Sequence, residues 1–349
     1  MAKYLILKAP PVGLGSLMVT TLCGKIYAQL TGRIPIVLWR QRCLYYESTS
    51  KETLENTFET YFEPLSDATI ADVIGKQYTY YPACWNDQNI LDDTLLQHNR
   101  AAHLSLPVEP EFSGSEADVL VISEYPGITS YLPALLNTYD RFRGLSELEV
   151  LSQHFQGQLE LKPYLKQRVK DFQDTHFNDH ISIGLRIRKT DFAALRAVPS
   201  DSMYINAVKS RMADLKQPAK LFLATDCAKT AVKFKRIYGD QICYTDCIRS
   251  ETSTATHLCG GAKRTKGEQM LLDLYVLAGC DYFIGSDSNW IWLVTRILND
   301  PLVNPDRNTY LSPTIGQKVW KRVELSSTAL LKSVVHRSKT VTRSLLRSA

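Results

Sequence analysis

The sequence lacks most of the features that would fix a function class by themselves. None of its eight cysteines stands in a CxxC pair, and the interval from Cys243 to Cys247 recurs nowhere. A zinc module built on repeated cysteine spacing is therefore excluded. Several of these cysteines lie in apolar runs, where a thiol packs as a small hydrophobe. They are expected to be reduced and the chain to be cytoplasmic. No apolar run reaches the roughly 20 residues needed to cross a bilayer. The opening is a short apolar run, Tyr4-Leu5-Ile6-Leu7, without the longer apolar core and small-residue cleavage site of a signal peptide. Low-complexity segments and internal repeats are also missing. An excess of one charge is scarce too. The 349 residues hold 41 Lys and Arg against 36 Asp and Glu, for a net charge of +5. Residues 332–349 carry five of the basic residues and no acid, so the rest of the chain is neutral. A nucleic-acid protein spreads basic charge over a folded face, so no nucleic-acid partner is expected.

What is present is an alternation of short apolar runs and helical patterns. The first half opens as strand Tyr4–Lys8, turn Gly13–Ser16, helix Ser16–Leu30 stopped by Gly32, and strand Ile34–Leu38. This βαβ order predicts a parallel sheet with helices on its faces. An amphipathic stretch follows at Asn56–Phe62, and a buried strand returns at Asp118–Ser123. In the second half, strands at Ile181–Arg188, Lys220–Thr225, Gln241–Tyr244 and Asp281–Gly285 alternate with helices at Leu161–Phe172, Tyr204–Asp214, Ala228–Tyr238 and Gly267–Ala278, and a further helix starts near Ser288. The length exceeds one compact core. The expected organisation is α/β: a Rossmann-like domain over 1–158, a second over 159–320, and a C-terminal helix and basic tail over 321–349. Ligands of such folds bind outside the carboxyl ends of the strands.

Three groups of polar residues meet that condition in the second half. In Gly184-Leu185-Arg186-Ile187-Arg188-Lys189-Thr190-Asp191, alternation sends Arg186 and Arg188 to one face. Two guanidinium groups on a buried strand need anionic partners. Those are either phosphate oxygens, which the guanidinium fork fits, or carboxylates elsewhere in the fold. In Leu221-Phe222-Leu223-Ala224-Thr225-Asp226, an apolar strand delivers a carboxylate. Asp226 either accepts from the paired N–H groups of guanine or caps the following helix with Thr225. In the run Asp281 to Trp290, a strand ends in Gly285-Ser286-Asp287-Ser288-Asn289, where free N–H groups and hydroxyls would hold a phosphate or cap a helix. In the first half, Gly13-Leu14-Gly15 lets backbone approach a ligand. It lacks the third glycine of a dinucleotide fingerprint and the GK[ST] ending of a P-loop.

Together these segments resemble a family. Gly184–Asp191 resembles the HxRRTD motif of α-1,6-fucosyltransferases, Leu221–Asp226 resembles their FLATD motif, and Leu271-Leu272-Asp273-Leu274 through Ser286 resembles their third motif. GLGSL followed by GRIPIVLWR resembles the bacterial branch, which includes rhizobial chitin-oligosaccharide fucosyltransferases. The resemblance runs from about Tyr4 to Leu298. It implies a GT-B fold, two Rossmann-like domains facing a cleft. It also implies an inverting, metal-independent transfer of fucose from GDP-fucose, with no cofactor, in a bacterial protein. Carried over by position, Arg188 binds the β-phosphate and helps GDP leave, and Asp226 reads guanine. Arg186, Lys189, Asp273, Ser286, Asp287, Ser288 and Asn289 complete the donor side, while Gly13, Gly15 and Arg40 face the sugar and acceptor. The sequence departs from the family where its histidine is Arg186, and where Phe192-Ala193-Ala194-Leu195-Arg196 replaces the lysine and glutamate of the animal enzymes. The proton acceptor must then come from elsewhere. Asp191 is the candidate, with Asp201 behind it; the alternative for Asp191 is an ion-pair or turn residue.

The acceptor is expected to be an oligosaccharide or a lipid-linked glycan. From Leu330 onward the chain is basic and partly amphipathic, and either lies on an anionic membrane surface or ends as a frayed soluble terminus. Two other functions share these features: the same fold with another GDP-sugar, motivated by Arg186, and a non-catalytic nucleotide- or glycan-binding module, motivated by the missing acid after Asp191.

Overall fold

A computed structural model of the chain describes residues 2–47, 55–93, 116–123, 139–145, 149, 159–286 and 305–322. In the first half, β1 (Tyr4–Lys8) is buried along its whole length, as expected of an apolar run inside a parallel sheet. The helix α1 (Leu14–Thr31) is buried around most of its circumference, which explains why its apolar residues form a run rather than a stripe. Gly32 ends it at φ 64°, in the left-handed region, and its N–H donates to the Ala28 carbonyl. β2 (Ile34–Leu38) returns parallel to β1. The short α2 (Thr57–Tyr61) is anchored by Asn56, whose carbonyl oxygen accepts from the N–H of Trp39 at 3.0 Å and of Phe58 at 3.3 Å. Its amide nitrogen donates to the Val37 carbonyl at 2.7 Å. One side chain thus caps the helix and fixes it to the end of β2. β3 (Tyr80–Tyr81) and β4 (Val119–Ile122) complete a parallel sheet of order β2-β1-β4-β3.

The second half opens with α3 (Pro163–His176), which starts on a proline at its first helical position. Then come β5 (Ile181–Ile187), α4 (Thr190–Leu195), α5 (Asp201–Ala213), β6 (Ala219–Thr225), α6 (Ala228–Tyr238), β7 (Ile242–Cys243), α7 (Lys263–Ala278), β8 (Tyr282–Gly285) and β9 (Asn308–Tyr310). The sheet is parallel in the order β7-β6-β5-β8-β9. The order reverses at β5, so the crevice of this sheet opens between the ends of β5 and β8. Gly184 lets α7 lie close on β5. A Cβ there would come within 3.0 Å of Leu277 and 3.1 Å of the Cys280 sulfur.

Helix α7 also joins the halves. Leu271 and Leu274 belong to the same core as residues of α1 and α2. Tyr61 donates to the Arg264 carbonyl at 3.1 Å. It lies over Gly267, where a Cβ would meet its hydroxyl at 2.2 Å. The α/β reading with two parallel sheets holds, and three elements not read from the sequence, β3, α4 and β9, add to it. The helix expected from Ser288, the boundary at 158 and most of the basic tail fall outside the described residues.

Candidate functional site

Strand β5 carries Arg186 as its penultimate residue, and the chain leaves the sheet with Arg188. Arg186 is buried. One guanidinium nitrogen donates to the Ala224 carbonyl on β6 at 3.3 Å, and its Nε is buried without a partner. Burial pushes its pKa down and Arg188 adds to that, while Asp226 and Asp273 pull it back up. An arginine stays charged through such shifts, so a cation faces this end of the sheet.

Arg188 is held differently. Its Nη2 donates to both carboxylate oxygens of Asp191 at 3.1 Å, and its Nε lies 3.7 Å from Asp226. The Phe192 ring lies under the guanidinium at 5.6 Å. Asp226 accepts the Lys189 N–H at 2.9 Å and the Thr190 hydroxyl at 2.6 Å. It thereby ties the end of β6 to the first turn of α4. Burial pushes the Asp191 carboxyl up, but Arg188, the Thr190 hydroxyl and the more distant His257 outweigh it and hold the group below its ordinary range. Asp191 is therefore ionised and paired at neutral pH.

These groups border a cavity of about 590 Å³ between the halves. Its second-half wall includes Arg186, Arg188, Asp191 and Asp226, and its first-half wall is the turn from Val12 to Ser16 with Tyr45. Tyr45 bridges the two, accepting from the Leu14 N–H at 3.4 Å and donating to the Met270 sulfur at 3.8 Å. A Cβ on Gly13 would meet nothing within 4 Å, so that turn presents bare backbone to the cavity. A smaller chamber of about 60 Å³ continues from it and reaches Asp273. Burial raises the pKa of Asp273, opposed by a hydrogen bond from Thr245 and by Arg186, Arg249 and Cys247. The size suits a ligand of several rings, and the mixture of cations, carboxylates and open backbone suits a polar one.

The sequence-derived residues fall into four sets. Arg186, Arg188, Asp191, Asp226, Gly13 and Gly15 line the cavity, and Asp273 lines the chamber. Ser286 directly follows β8 and is buried. It hydrogen-bonds Tyr204, whose hydroxyl is pushed up to about 12 mainly by burial. Lys189 and Arg40 point elsewhere. The Lys189 ammonium donates to the Pro199 carbonyl at 3.1 Å and pairs with Asp201 at 3.1 Å. Arg40 is buried in the first half, where its Nε donates to Gln41 at 3.4 Å. Asp287, Ser288 and Asn289 lie outside the described residues. Asp201 holds both Lys189 and Lys233, and these cations outweigh burial to keep its carboxyl low. Tyr45, Lys266 and His257 also line the cavity, and no sequence pattern pointed to them. His257 sits in a single short turn, Lys266 in the first turn of α7 and Tyr45 seven residues past β2, so none stands directly after a strand. Among the described residues, no three His, Cys, Asp or Glu side chains converge to hold a metal ion. All eight cysteines lie among the described residues, and none is in a disulfide.

The comparisons with known proteins bear on this geometry. No family model matches the chain, and no curated protein matches it by sequence. Solved structures do. A NodZ α-1,6-fucosyltransferase soaked with GDP-fucose is similar over 85% of this chain and 93% of its own, at a TM-score of 0.56 and 18% identity. The chain has the GT-B fold. A NodZ α-1,6-fucosyltransferase co-crystallised with GDP gives 0.55 at 18% identity over the same shares. The fucosyltransferase NodZ from Bradyrhizobium gives 0.54 at 19% identity, over 85% and 94%. At such identities the similarity is one of fold, and the chemistry of this chain rests on its own residues.

Proposed function

We propose that the chain is an inverting, metal-independent glycosyltransferase that moves fucose from GDP-fucose to a hydroxyl of a glycan acceptor. The observation that carries the proposal is the pair of arginines at the end of β5, facing an interdomain cavity in this fold. As the bond from the sugar to the diphosphate breaks, its electron pair stays on GDP and negative charge grows on the β-phosphate. Fixed guanidinium groups at a partly desolvated wall stabilise that charge where water cannot. Arg188 is the group for the β-phosphate, and Arg186, with an unpartnered Nε, supplies a second donor. In this reading the nucleotide base lies in the cavity beside Asp226, toward the chamber that reaches Asp273. The acceptor approaches from the first half, along the turn of Gly13 and Gly15. The fold family's complexes with GDP-fucose and GDP favour the same donor.

The test is thermal unfolding with GDP, GDP-fucose, GDP-mannose, UDP and UDP-N-acetylglucosamine, for the wild type and Arg188→Ala, with and without a chelator. A ligand at a hundred times its dissociation constant adds about 2.7 kcal/mol of stability. Stabilisation by GDP and GDP-fucose, lost in Arg188→Ala and indifferent to chelator, is the expected result. Stabilisation by UDP compounds alone, or by none, removes the GDP-sugar assignment. A stronger response to GDP-mannose than to GDP-fucose supports the second reading, another GDP-sugar, which Arg186 favours by standing where the family has histidine.

A further inference from the structure

An acceptor hydroxyl must lose a proton as it attacks the sugar, and the cavity wall holds few groups able to take one. The Asp191 carboxylate receives two hydrogen bonds from Arg188 and is held low. Asp226 is occupied by the Lys189 N–H and the Thr190 hydroxyl. Asp201 is absent from the wall and pinned between two lysines. The Tyr45 hydroxyl is pushed up to about 12 by burial and stays protonated. Arg186, Arg188 and Lys266 are cations. His257 remains. It sits in a single turn of 3-10 helix, Thr256–Leu258, half-buried on the cavity wall. Its carbonyl accepts from Lys266 Nζ at 3.1 Å, which fixes the backbone beside the cavity that both residues line.

We infer that His257 is the catalytic residue that takes the proton from the attacking hydroxyl. This rests on the glycosyl-transfer reading above. The acceptor oxygen forms a bond to the anomeric carbon of the donor. The bond from that carbon to the β-phosphate oxygen breaks, and its electron pair leaves with GDP. The hydroxyl proton passes to an imidazole nitrogen, and the imidazolium later releases it to solvent. The surroundings suit both states. Burial favours the neutral ring, and Arg188 and Lys266 also push its pKa down, so a lone pair is present at neutral pH. The Asp191 carboxylate opposes them and stabilises the imidazolium once it forms. Asp191 is then a positioning residue that acts through His257 and Arg188.

The test uses the full chain with GDP-fucose alone, water serving as the acceptor whose proton must equally be taken up, and follows GDP release across pH. For the wild type, release falls as pH drops through a midpoint below 6.5. In His257→Gln the rate drops roughly 10²-fold and the acid limb disappears. The stabilisation by GDP is unchanged, and added imidazole restores part of the rate to His257→Ala. His257→Asn, with its fold checked by circular dichroism, serves if the glutamine variant does not fold. A variant that binds GDP and releases it from GDP-fucose at the wild-type rate with the wild-type pH profile overturns the inference. A wild type that neither is stabilised by GDP-fucose nor releases GDP from it removes the donor reading itself, and the base with it. The two failures are therefore distinguishable.

Discussion

Each sheet has a basic residue at or just past the end of its first strand, Lys8 on β1 and Arg188 after β5, and the two are treated in opposite ways. At the end of β1, Lys8 pairs with Asp93 at 2.7 Å, with side-chain exposures of 1% and 4%. Its ammonium also donates to the Ile90 carbonyl at 2.5 Å and lies 4.7 Å from the Trp85 ring centre. Burial lowers the pKa of Lys8, and Asp93 restores part of it. Asp93 further accepts the Arg42 N–H at 3.1 Å, which ties down the chain after β2. At the end of β5, Arg188 and Asp191 are 23% and 35% exposed and face a cavity. The comparison teaches that a charge at a strand's carboxyl end is not by itself functional. The sealed pair orders the fold. The open pair keeps donor capacity for a ligand.

The largest effect that would test this contrast is on stability. Asp93→Ala leaves a buried, unpaired ammonium and is expected to cost about 3–5 kcal/mol, measured by urea unfolding. The double variant Lys8→Met, Asp93→Leu should recover most of that. If Asp93→Ala is nearly neutral, the first sheet's charges are not structural. Next comes Arg186→Ala, expected to lower turnover of GDP-fucose by about 10²–10³-fold, the effect of removing one preorganised donor from a site of developing charge. Equal turnover in this variant would make Arg186 structural, like Lys8. A smaller effect is expected for Gly184→Ala, about 1–3 kcal/mol, because its Cβ presses on Leu277 and Cys280. A lower unfolding midpoint would agree, and an unchanged one would mean that α7 can give way. The smallest effect is the pH response of the fold. His176 and His257 both have folded-state pKa values lowered, mainly by burial. Between those values and 6.5 the unfolded chain binds more protons, so stability rises with pH there and is lost on acidification. Calorimetry from pH 7 to 5 checks the sign, and a flat profile would contradict it.

Much of the second half was legible in the sequence because its strands are continuous apolar runs closed by turn residues. Lys220–Thr225 and Asp281–Gly285 are read from that pattern alone, and the strands observed are Ala219–Thr225 and Tyr282–Gly285. Helix α6 was read at its observed bounds, Ala228–Tyr238, and ends on Gly239. Helix α4 was missed because six residues give too little periodicity, and its first turn is held by Asp226, 36 residues on from Thr190. Arg188 and Asp226 were found by their position after strands. Lys189 met the same position rule, yet its ammonium turns to Pro199 and Asp201. Position in sequence specifies where a backbone leaves a sheet, whereas the direction of a long, flexible side chain depends on which partners lie in reach.

By itself, then, the sequence determined the two parallel α/β layers and the strand ends at which charge collects, because periodicity and turn chemistry are local and survive in one dimension. Only the tertiary structure decided which of those charges are closed and which are open, and that His257 shares a cavity with Arg188. Those outcomes depend on contacts between segments distant along the chain, and burial and pairing there set the energy of each charge.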